Sequence, residues 1–236
     1  MASNAERLKS SLASLAERPN HKDVERALLD DGWVRCGEGD WAFALRSPDG
    51  AAAARISPFD PVGPFTASFY REAAHTRQVP ELHAHHRLYG GGDLQLMEWL
   101  LPVHEEDAIG FLRRIGEGKA EVAVLGSILR EVHERARRQL PWCGPLDDNP
   151  SNIMRALDGR LVLTDPYYAD GPNLYATALA TPDVVAARIP KDERRFITEI
   201  PLAGSGGWDP KVQERIRAGL EAADLIDMKP PLRAEK

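Results

Sequence analysis

The stretch CGPLDDNPSNIMRALDGRLVLTDPYYAD, residues 143–170, holds two apolar runs separated by the turn sequence DGR at residues 158–160. A tight-turn sequence between two apolar runs predicts a short antiparallel β-hairpin. Asn152 stands where the first run begins and Asp165 where the second ends, so the hairpin would bring these two side chains together. Asp147 lies five residues before Asn152, on the loop that enters the hairpin.

These three residues suit a metal-dependent reaction. Mg²⁺ prefers oxygen ligands and binds proteins through one or two carboxylates together with the phosphates of a nucleotide, which fits Asn152 and Asp165. A carboxylate at Asp147 could orient an attacking hydroxyl and accept its proton. Each residue also has a plainer interpretation: Asp147 and Asp148 suit a turn, Asn152 a loop cap, and Asp165 a turn built around the next proline. The combined spacing favours the metal site.

DDNPSNIM, residues 147–154, resembles the catalytic loop of the protein-kinase-like superfamily, D-x-x-P-x-N followed by two apolar residues. LVLTDP, residues 161–166, occupies the place of the strand that ends in the metal-binding aspartate of the D-F-G motif, and its form TDP resembles small kinases encoded by phages. The resemblance implies an ATP- and Mg²⁺-dependent phosphotransferase in which Asp147 is the catalytic base. It also implies that Asn152 and Asp165 hold the metal.

The resemblance also implies the fold and its division. We expect an α+β, two-lobed protein-kinase-like fold, with an antiparallel-sheet lobe over residues 1–100 and a reduced, mostly helical lobe over residues 101–236. The first lobe would begin with a helical extension, in which Leu8, Leu12 and Leu15 follow helical spacing.

A kinase needs a glycine-rich hairpin over the triphosphate, because bare backbone can present its N–H groups to phosphate oxygens. GEGDWAFA, residues 37–44, offers Gly37 and Gly39 between two strand-like runs, although two such glycines also suit a plain turn. In the next strand, AAAARISP, Arg55 stands where kinases carry lysine in the pattern V-A-I-K. Arginine keeps the positive charge, but its planar fork differs from a lysine point charge.

Two further segments complete the expected nucleotide site. The helix containing SFYREAAH places Glu72 where a kinase has the glutamate that pairs with the strand cation, here Arg55; a solvated face is the alternative. LQLMEWLLPV, residues 94–103, resembles the apolar strand and hinge between the lobes. Backbone groups around Glu98 and Leu100 would meet the adenine edge, with Met97 beside the base.

Three departures from the kinase pattern stand out. Pro145 replaces the histidine that normally braces the catalytic loop, and Asn149 stands where Ser/Thr protein kinases carry a phosphate-contacting lysine. Only 71 residues follow Asp165 (236 − 165), so the second lobe must be reduced.

The acceptor remains open at this point. The short interval between Leu100 and Asp147 and the form NPSN favour a protein Ser/Thr hydroxyl. A small-molecule kinase of the aminoglycoside type would need an acidic pocket for a cationic acceptor, which Asp148, Asp170 and Asp183 could supply. A pseudokinase that serves as a binding module is suggested by the departures, although retention of the three central residues argues against it.

The composition and charge of the chain limit the classes of partner and the kinds of site that we expect. The 236 residues carry a formal net charge of −6, which argues against broad nonspecific nucleic-acid binding. No apolar run reaches the roughly 20 residues of a membrane span, and the amino end lacks the apolar block of a signal peptide, so we expect a cytoplasmic protein without a membrane partner. Cys36 and Cys143 show no paired spacing, and His83 and His85 lack a nearby ligand, so a zinc site is not predicted.

Overall fold

The computed structural model describes residues 18–227, so the helix expected over Leu8 to Leu15 lies outside the described residues. The first described helix, α1 (His21–Asp30), starts at a capping box in which the Asn20 side chain accepts from the Lys22 and Asp23 N–H groups and the Asp23 side chain accepts from the Asn20 N–H. Gly32, with a φ of 85°, then turns the chain into the first strand, as its sequence position predicts.

A five-stranded antiparallel sheet follows, in the spatial order β1-β2-β3-β5-β4. Its strands are β1 (Val34–Glu38), β2 (Phe43–Arg46), β3 (Ala52–Ser57), β4 (Leu82–Arg87) and β5 (Asp93–Glu98). One helix, α2 (Gly63–Ala73), connects β3 to β4 and packs against β4 and β5. The predicted hairpin through the glycine-rich stretch is present, and a second hairpin turns through Gly90 to Gly92.

The remaining elements are mostly helical. A three-stranded sheet of order β6-β7-β8 is formed by β6 (Leu100–Pro102), β7 (Ile153–Ala156) and β8 (Leu161–Leu163). The helices are α3 (Glu105–Gly116), α4 (Ala123–Gln139), α5 (Gly171–Ala180), α6 (Pro182–Arg188) and α7 (Pro210–Asp227). This sequence of elements confirms the α+β class and the protein-kinase-like architecture.

Two main groups of buried side chains hold these elements together. The smaller one joins α1 to the inner face of the sheet, through residues such as Val24, Leu28 and Leu45. The larger one includes Tyr70 of α2 and Met97 of β5 together with the helices of the carboxyl-terminal half. The second group therefore crosses residue 100, and the division into two lobes there stays a prediction.

A segment that we call the strap, residues 189–208, runs back from the helices to the amino-terminal sheet. At the β4–β5 turn, the Gly90 N–H donates to the Asp192 carbonyl at 2.9 Å, and the Phe196 N–H donates to the Gly90 carbonyl at 3.2 Å. Gly90 and Gly91 have φ values of 83° and 90°, and a Cβ on either would overlap the strap. The strap thus ties the two halves of the chain together.

Among residues 18–227, no helix is both long and apolar enough to span a bilayer.

Candidate active site

The β7–β8 hairpin brings Asn152 and Asp165 to the same end, as its sequence predicts. Ile153 pairs with Leu163 in the ladder, so the residues just outside it face each other. Beyond the ladder, the backbone N–H and the hydroxyl of Thr164 donate to the Asn152 carbonyl at 2.7 and 2.9 Å. The Asn152 side chain in turn donates from Nδ2 to the Asp165 carbonyl at 3.2 Å, which leaves its Oδ1 available to a cation.

Asp165 occupies an unusual environment. Its φ of 41° lies in the left-handed region, which non-glycine residues seldom adopt, and its N–H donates to the Tyr70 hydroxyl at 3.0 Å. Its carboxylate oxygen Oδ2 accepts from Arg55 Nε at 2.9 Å. The other oxygen, Oδ1, is buried and has no hydrogen-bond partner among the described residues. An unpaired buried carboxylate oxygen is costly unless a cation satisfies it, so Asp165 and Asn152 fit a bound Mg²⁺.

Arg55 lies between two carboxylates and its side chain is only 15% exposed. Besides Asp165, its NH1 contacts Asp60 Oδ2 at 3.0 Å. Burial alone would lower the pKa of Arg55, but the negative charges of Asp165, Asp60 and Asp93 outweigh it and hold that pKa above its ordinary value. Arg55 is therefore a permanent cation in the site.

The predicted pairing of Arg55 with Glu72 is wrong. Glu72 lies on the side of α2 that faces α4 and forms an ion pair there with Arg135. Asp60 takes its place because the chain turns back directly after β3, and its Oδ1 accepts from the Val62 and Gly63 N–H groups at 3.0 and 2.8 Å. These bonds fix Asp60 at the start of α2, beside Arg55.

Asp147 is held on a loop that runs alongside the chain following Asp165. Its N–H donates to the Pro166 carbonyl at 3.0 Å, and its Oδ1 accepts from the Asn149 N–H at 3.0 Å. The Gly144 N–H likewise donates to the Tyr168 carbonyl at 2.9 Å. These backbone contacts set the Asp147 loop against the segment that follows Asp165.

Pro145 cannot hold the predicted catalytic loop as a histidine at that position would, and a residue of another element holds it instead. His133, on α4, hydrogen-bonds through Nε2 to the Gly144 carbonyl at 2.7 Å. Its ring stacks on Tyr167 with centroids 5.7 Å apart and planes within 1° of each other. The Tyr167 hydroxyl donates to the Leu129 carbonyl of α4 at 2.8 Å, so this helix holds both the catalytic loop and the segment after Asp165.

A cleft of about 1100 Å³ gathers the predicted residues. Its lining includes Gly37, Gly39, Arg55, Met97, Glu98, Leu100, Asp147, Asn152 and Asp165. Of the predicted site residues, Glu72 alone does not line it.

The predicted hinge lines the cleft, but part of its backbone is already hydrogen-bonded within the protein. The Glu98 N–H donates to the Glu81 carbonyl at 3.0 Å, and the Glu98 carboxylate forms two bonds, of 3.0 and 2.9 Å, with Arg160. Met97 pairs with Ala53 of β3, and both residues line the cleft. The Glu98 N–H is thus already satisfied within the protein.

Leu100 differs from Glu98. Its partner in β7 is Ala156, which donates to the Arg160 carbonyl and accepts from the Gly159 N–H, each at 2.9 Å. The backbone groups of Ala156 therefore point towards β8, and Leu100 forms a non-hydrogen-bonded pair with it. This register leaves the Leu100 N–H outside the β6–β7 ladder.

The histidines of β4 hold no metal group. His85 Nε2 contacts the buried Asp93 carboxylate at 2.8 Å, and His83 lies 3.5 Å from Glu81. Within the described part of the chain, no cluster of three or more histidine, cysteine, aspartate or glutamate side chains could hold a metal ion. Asn152 and Asp165, an amide and a single carboxylate, remain the candidate metal ligands.

The sequence did not identify Asp60, Tyr70 or His133 as site residues. Asp60 carried a local signal, since an aspartate just before a helix start can accept its first N–H groups. Tyr70 and His133 carried none, because they lie 95 and 11 residues from their hydrogen-bond partners and reach them only through packing of α2 and α4.

Known proteins resemble this chain in structure at low similarity. The macrolide 2′-phosphotransferase of Brachybacterium faecium has a TM-score of 0.32 and 12% identity, over 85% of this chain and 93% of that one. The PknI kinase domain of Mycobacterium tuberculosis has a TM-score of 0.28 and 16% identity, over 79% and 94%. An aminoglycoside phosphotransferase of Streptomyces rimosus has a TM-score of 0.29 and 17% identity, over 86% and 98%. Similarity at this level carries no argument about activity.

No protein-family model matches the sequence, and no curated protein matches it. The proposals below therefore depend on the geometry of the site itself.

Proposed function

We propose that the protein is an ATP- and Mg²⁺-dependent phosphotransferase that transfers the γ-phosphate to a hydroxyl group, with protein serine and threonine as the favoured acceptors. The observation that carries this proposal is the buried, unpartnered Oδ1 of Asp165 beside Asn152. The same cleft holds Arg55 and Asp147, so the candidate metal ligands, a fixed positive charge and a further carboxylate lie together there.

The charges around Arg55 support a bound cation. One guanidinium is shared by two carboxylates, Asp60 and Asp165, so Asp165 has no cation to itself. Since isolated buried charge is costly, a divalent cation at Asp165 and Asn152 would balance the group. Bound Mg²⁺ would supply charge neutralisation for the phosphates.

The chain's own residues have distinct roles in this proposal. Arg55 would hold the phosphates, and the backbone at Gly37 and Gly39 would lie above them. The Leu100 N–H would meet the adenine edge, with Met97 beside the base. Asp147 would orient the acceptor hydroxyl and take its proton, so that positioning and charge neutralisation account for most of the catalysis.

A protein acceptor is supported by the short connection before the catalytic loop. β6, α3 and α4 fill the described stretch between Leu100 and Asp147, with a single turn of 3₁₀ helix between the two α-helices. No inserted domain therefore covers this side of the cleft within that stretch, which leaves room for a macromolecular acceptor.

A small cationic acceptor is the second candidate, favoured by a different observation. Burial raises the pKa of Tyr168, and the carboxylates of Asp147, Asp170 and Asp148 raise it further. Tyr168, Asp147 and Asp148 line the cleft, so its mouth carries a negative potential that would attract an amine-rich compound. Of the other acids expected in such a pocket, Asp170 accepts from the Asn173 N–H at the start of α5 and Asp183 lies exposed on α6, and neither lines the cleft.

A test combines γ-labelled ATP and Mg²⁺ with the purified protein, offering a cell lysate and a panel of aminoglycosides as acceptors. We expect label on lysate proteins, lost in Asp165→Ala and kept in Asp183→Ala, which removes an exposed carboxylate distant from the cleft. Label on an aminoglycoside would establish the second candidate. Absence of label from every acceptor, with ATP bound, would favour a pseudokinase and contradict the proposed transfer.

A further inference from the structure

The tip of the glycine-rich hairpin is fastened to the strap. Asp40, between β1 and β2, accepts three hydrogen bonds on its carboxylate: Gly204 N–H at 2.6 Å and Ser205 N–H at 3.1 Å on Oδ1, and the Ser205 hydroxyl at 2.6 Å on Oδ2. The Asp40 carbonyl also accepts from the Leu202 N–H at 3.0 Å. A charged acceptor makes these bonds stronger than neutral ones.

The neighbouring residue provides a second anchor. Trp41 stacks on Tyr175 of α5, with ring centroids 6.3 Å apart and planes 16° apart. The Tyr175 hydroxyl donates to the Ile197 carbonyl of the strap at 2.9 Å, and its ring meets Trp208 edge-on at 4.8 Å. Asp40 and Trp41 therefore hold the hairpin tip to the carboxyl-terminal half at adjacent positions.

The strap loop is shaped to receive Asp40. Leu202, Gly206 and Gly207 have φ values of 52°, 87° and 82°, all in the left-handed region. The Ser205 and Gly207 N–H groups donate to the Leu202 carbonyl at 3.1 and 3.2 Å, which closes the turn within the loop. The loop is thus ordered by its own bonds, shares the Ser205 N–H between Leu202 and Asp40, and presents the Gly204 N–H and the Ser205 hydroxyl to the hairpin as further donors.

The fastened hairpin forms part of the cleft that the proposed function assigns to a nucleotide. Gly37, Gly39, Asp40 and Trp41 line the cleft from the hairpin side, and Gly204 lines it from the strap. A glycine-rich hairpin that covers a triphosphate must move aside for the nucleotide to enter and leave, and here that movement breaks four hydrogen bonds and one ring contact.

We propose that Asp40 and Ser205 form a latch, and that opening this latch limits the rate at which a nucleoside triphosphate enters and leaves the cleft. This inference rests on the proposed function. Ser205 and Gly204 are exposed and Asp40 is half-buried, so water can replace each bond as it breaks. The contact therefore opens without unfolding the cores on either side.

The test compares Asp40→Ala and Ser205→Ala with the natural protein. The matched control is Ser127→Ala, because Ser127 on α4 also donates its hydroxyl to an exposed carboxylate, Glu131 at 3.1 Å, but does not line the cleft. Stopped-flow mixing with a fluorescent ATP analogue and Mg²⁺ gives the association and dissociation rate constants. Hydrogen exchange at the Leu202 amide, which donates to the Asp40 carbonyl across the contact, reports opening of the hairpin without any nucleotide.

Loss of the Asp40 carboxylate should raise the association rate constant about tenfold, since the open fraction rises with each charged hydrogen bond removed. Ser205→Ala, which removes one bond, should raise it about threefold by the same reasoning. Both variants should speed exchange at Leu202, and Ser127→Ala should change neither quantity.

Two results would overturn the latch in different ways. Nucleotide binding with unchanged rate constants, despite faster exchange at Leu202, would show that the contact does not control entry. Absence of nucleotide binding in the natural protein and in every variant would remove the proposed function, and the gating inference with it.

Discussion

The hairpin that carries Asn152 and Asp165 and the strand that carries Arg55 reach the same cleft in different ways. In the hairpin, the two side chains come from a stretch of 14 residues, and one ladder with one tight turn sets their positions. Arg55 instead pairs with Asp60, five residues away, and with Asp165, 110 residues away. Local backbone pairing within the hairpin positions Asn152 and Asp165, whereas tertiary packing brings Arg55 to Asp165.

The pairing of Arg55 shows how one expected partner residue can be replaced by another in this site. Arg55 stands where the kinase pattern has lysine, and the glutamate expected to pair with it, Glu72, binds elsewhere. The site still contains a buried ion pair, because Asp60 supplies the carboxylate from the loop before α2. Asn152 and Asp165, which the β7–β8 ladder places together, show no such replacement of a partner residue.

The largest effect should follow from changing the residue proposed as the base. Asp147→Asn should lower kcat by about 100- to 10,000-fold, because the amide cannot accept the hydroxyl proton. The KM for ATP should stay near its original value, since Asp147 would contact the acceptor instead. Steady-state kinetics measure both, with Asp183→Asn as the control; an equal loss in the two variants would contradict this role.

Arg55→Ala tests the region built by tertiary packing. It leaves Asp60 buried without its cation, which should destabilise the fold by about 3–5 kcal/mol, the usual cost of breaking a buried ion pair. Glu72→Ala breaks the half-exposed pair with Arg135 and should cost at most about 1 kcal/mol. Urea unfolding measures both, and equal costs would contradict a larger contribution from the buried Arg55–Asp60 pair than from the half-exposed Glu72–Arg135 pair.

His133→Phe asks whether α4 braces the catalytic loop. Phenylalanine keeps a ring against Tyr167 but loses the bond to the Gly144 carbonyl, and a buried acceptor left without that bond costs about 1–3 kcal/mol. We expect a lower kcat with little change in the KM for ATP, and partial recovery in His133→Gln, which retains an N–H donor. A purely structural role would lower stability and leave kcat per folded molecule unchanged.

Tyr70→Phe should have the smallest effect. It removes the hydroxyl that accepts the Asp165 N–H and should cost about 0.5–1.5 kcal/mol. Burial, together with the charge of Asp165, raises the pKa of Tyr70, so this hydroxyl stays neutral and its loss removes a hydrogen bond but no charge. The affinity for Mg²⁺-nucleotide, measured by calorimetry, should fall by up to about tenfold; an unchanged affinity would separate Tyr70 from the metal site.

The sequence predicted the parts of the site that depend on local order. The turn DGR and its flanking apolar runs place Asn152 and Asp165 together, and glycines at residues 37 and 39 place the first hairpin over the cleft.

Other features depend on distances that a sequence pattern does not contain. The partner of Glu72 is decided by how α2 packs on α4, and the strap meets Asp40 from 164 residues away. His133 replaces a bracing residue twelve positions along the chain, and only the packing of α4 reveals it. In each case the chain offers several acids, hydrogen-bond donors or aromatic rings of similar propensity, and the sequence alone does not indicate which of them makes the contact.

The central claim is that Asp165 and Asn152 hold a divalent cation together with a nucleotide. Calorimetric titration with a non-hydrolysable ATP analogue, with Mg²⁺ and then with EDTA, tests it directly in the natural protein and in Asp165→Asn. We predict affinity that rises at least about tenfold with Mg²⁺ in the natural protein and does not rise in the variant, because a metal-binding carboxylate is lost. An equal gain from Mg²⁺ in both proteins would contradict the account.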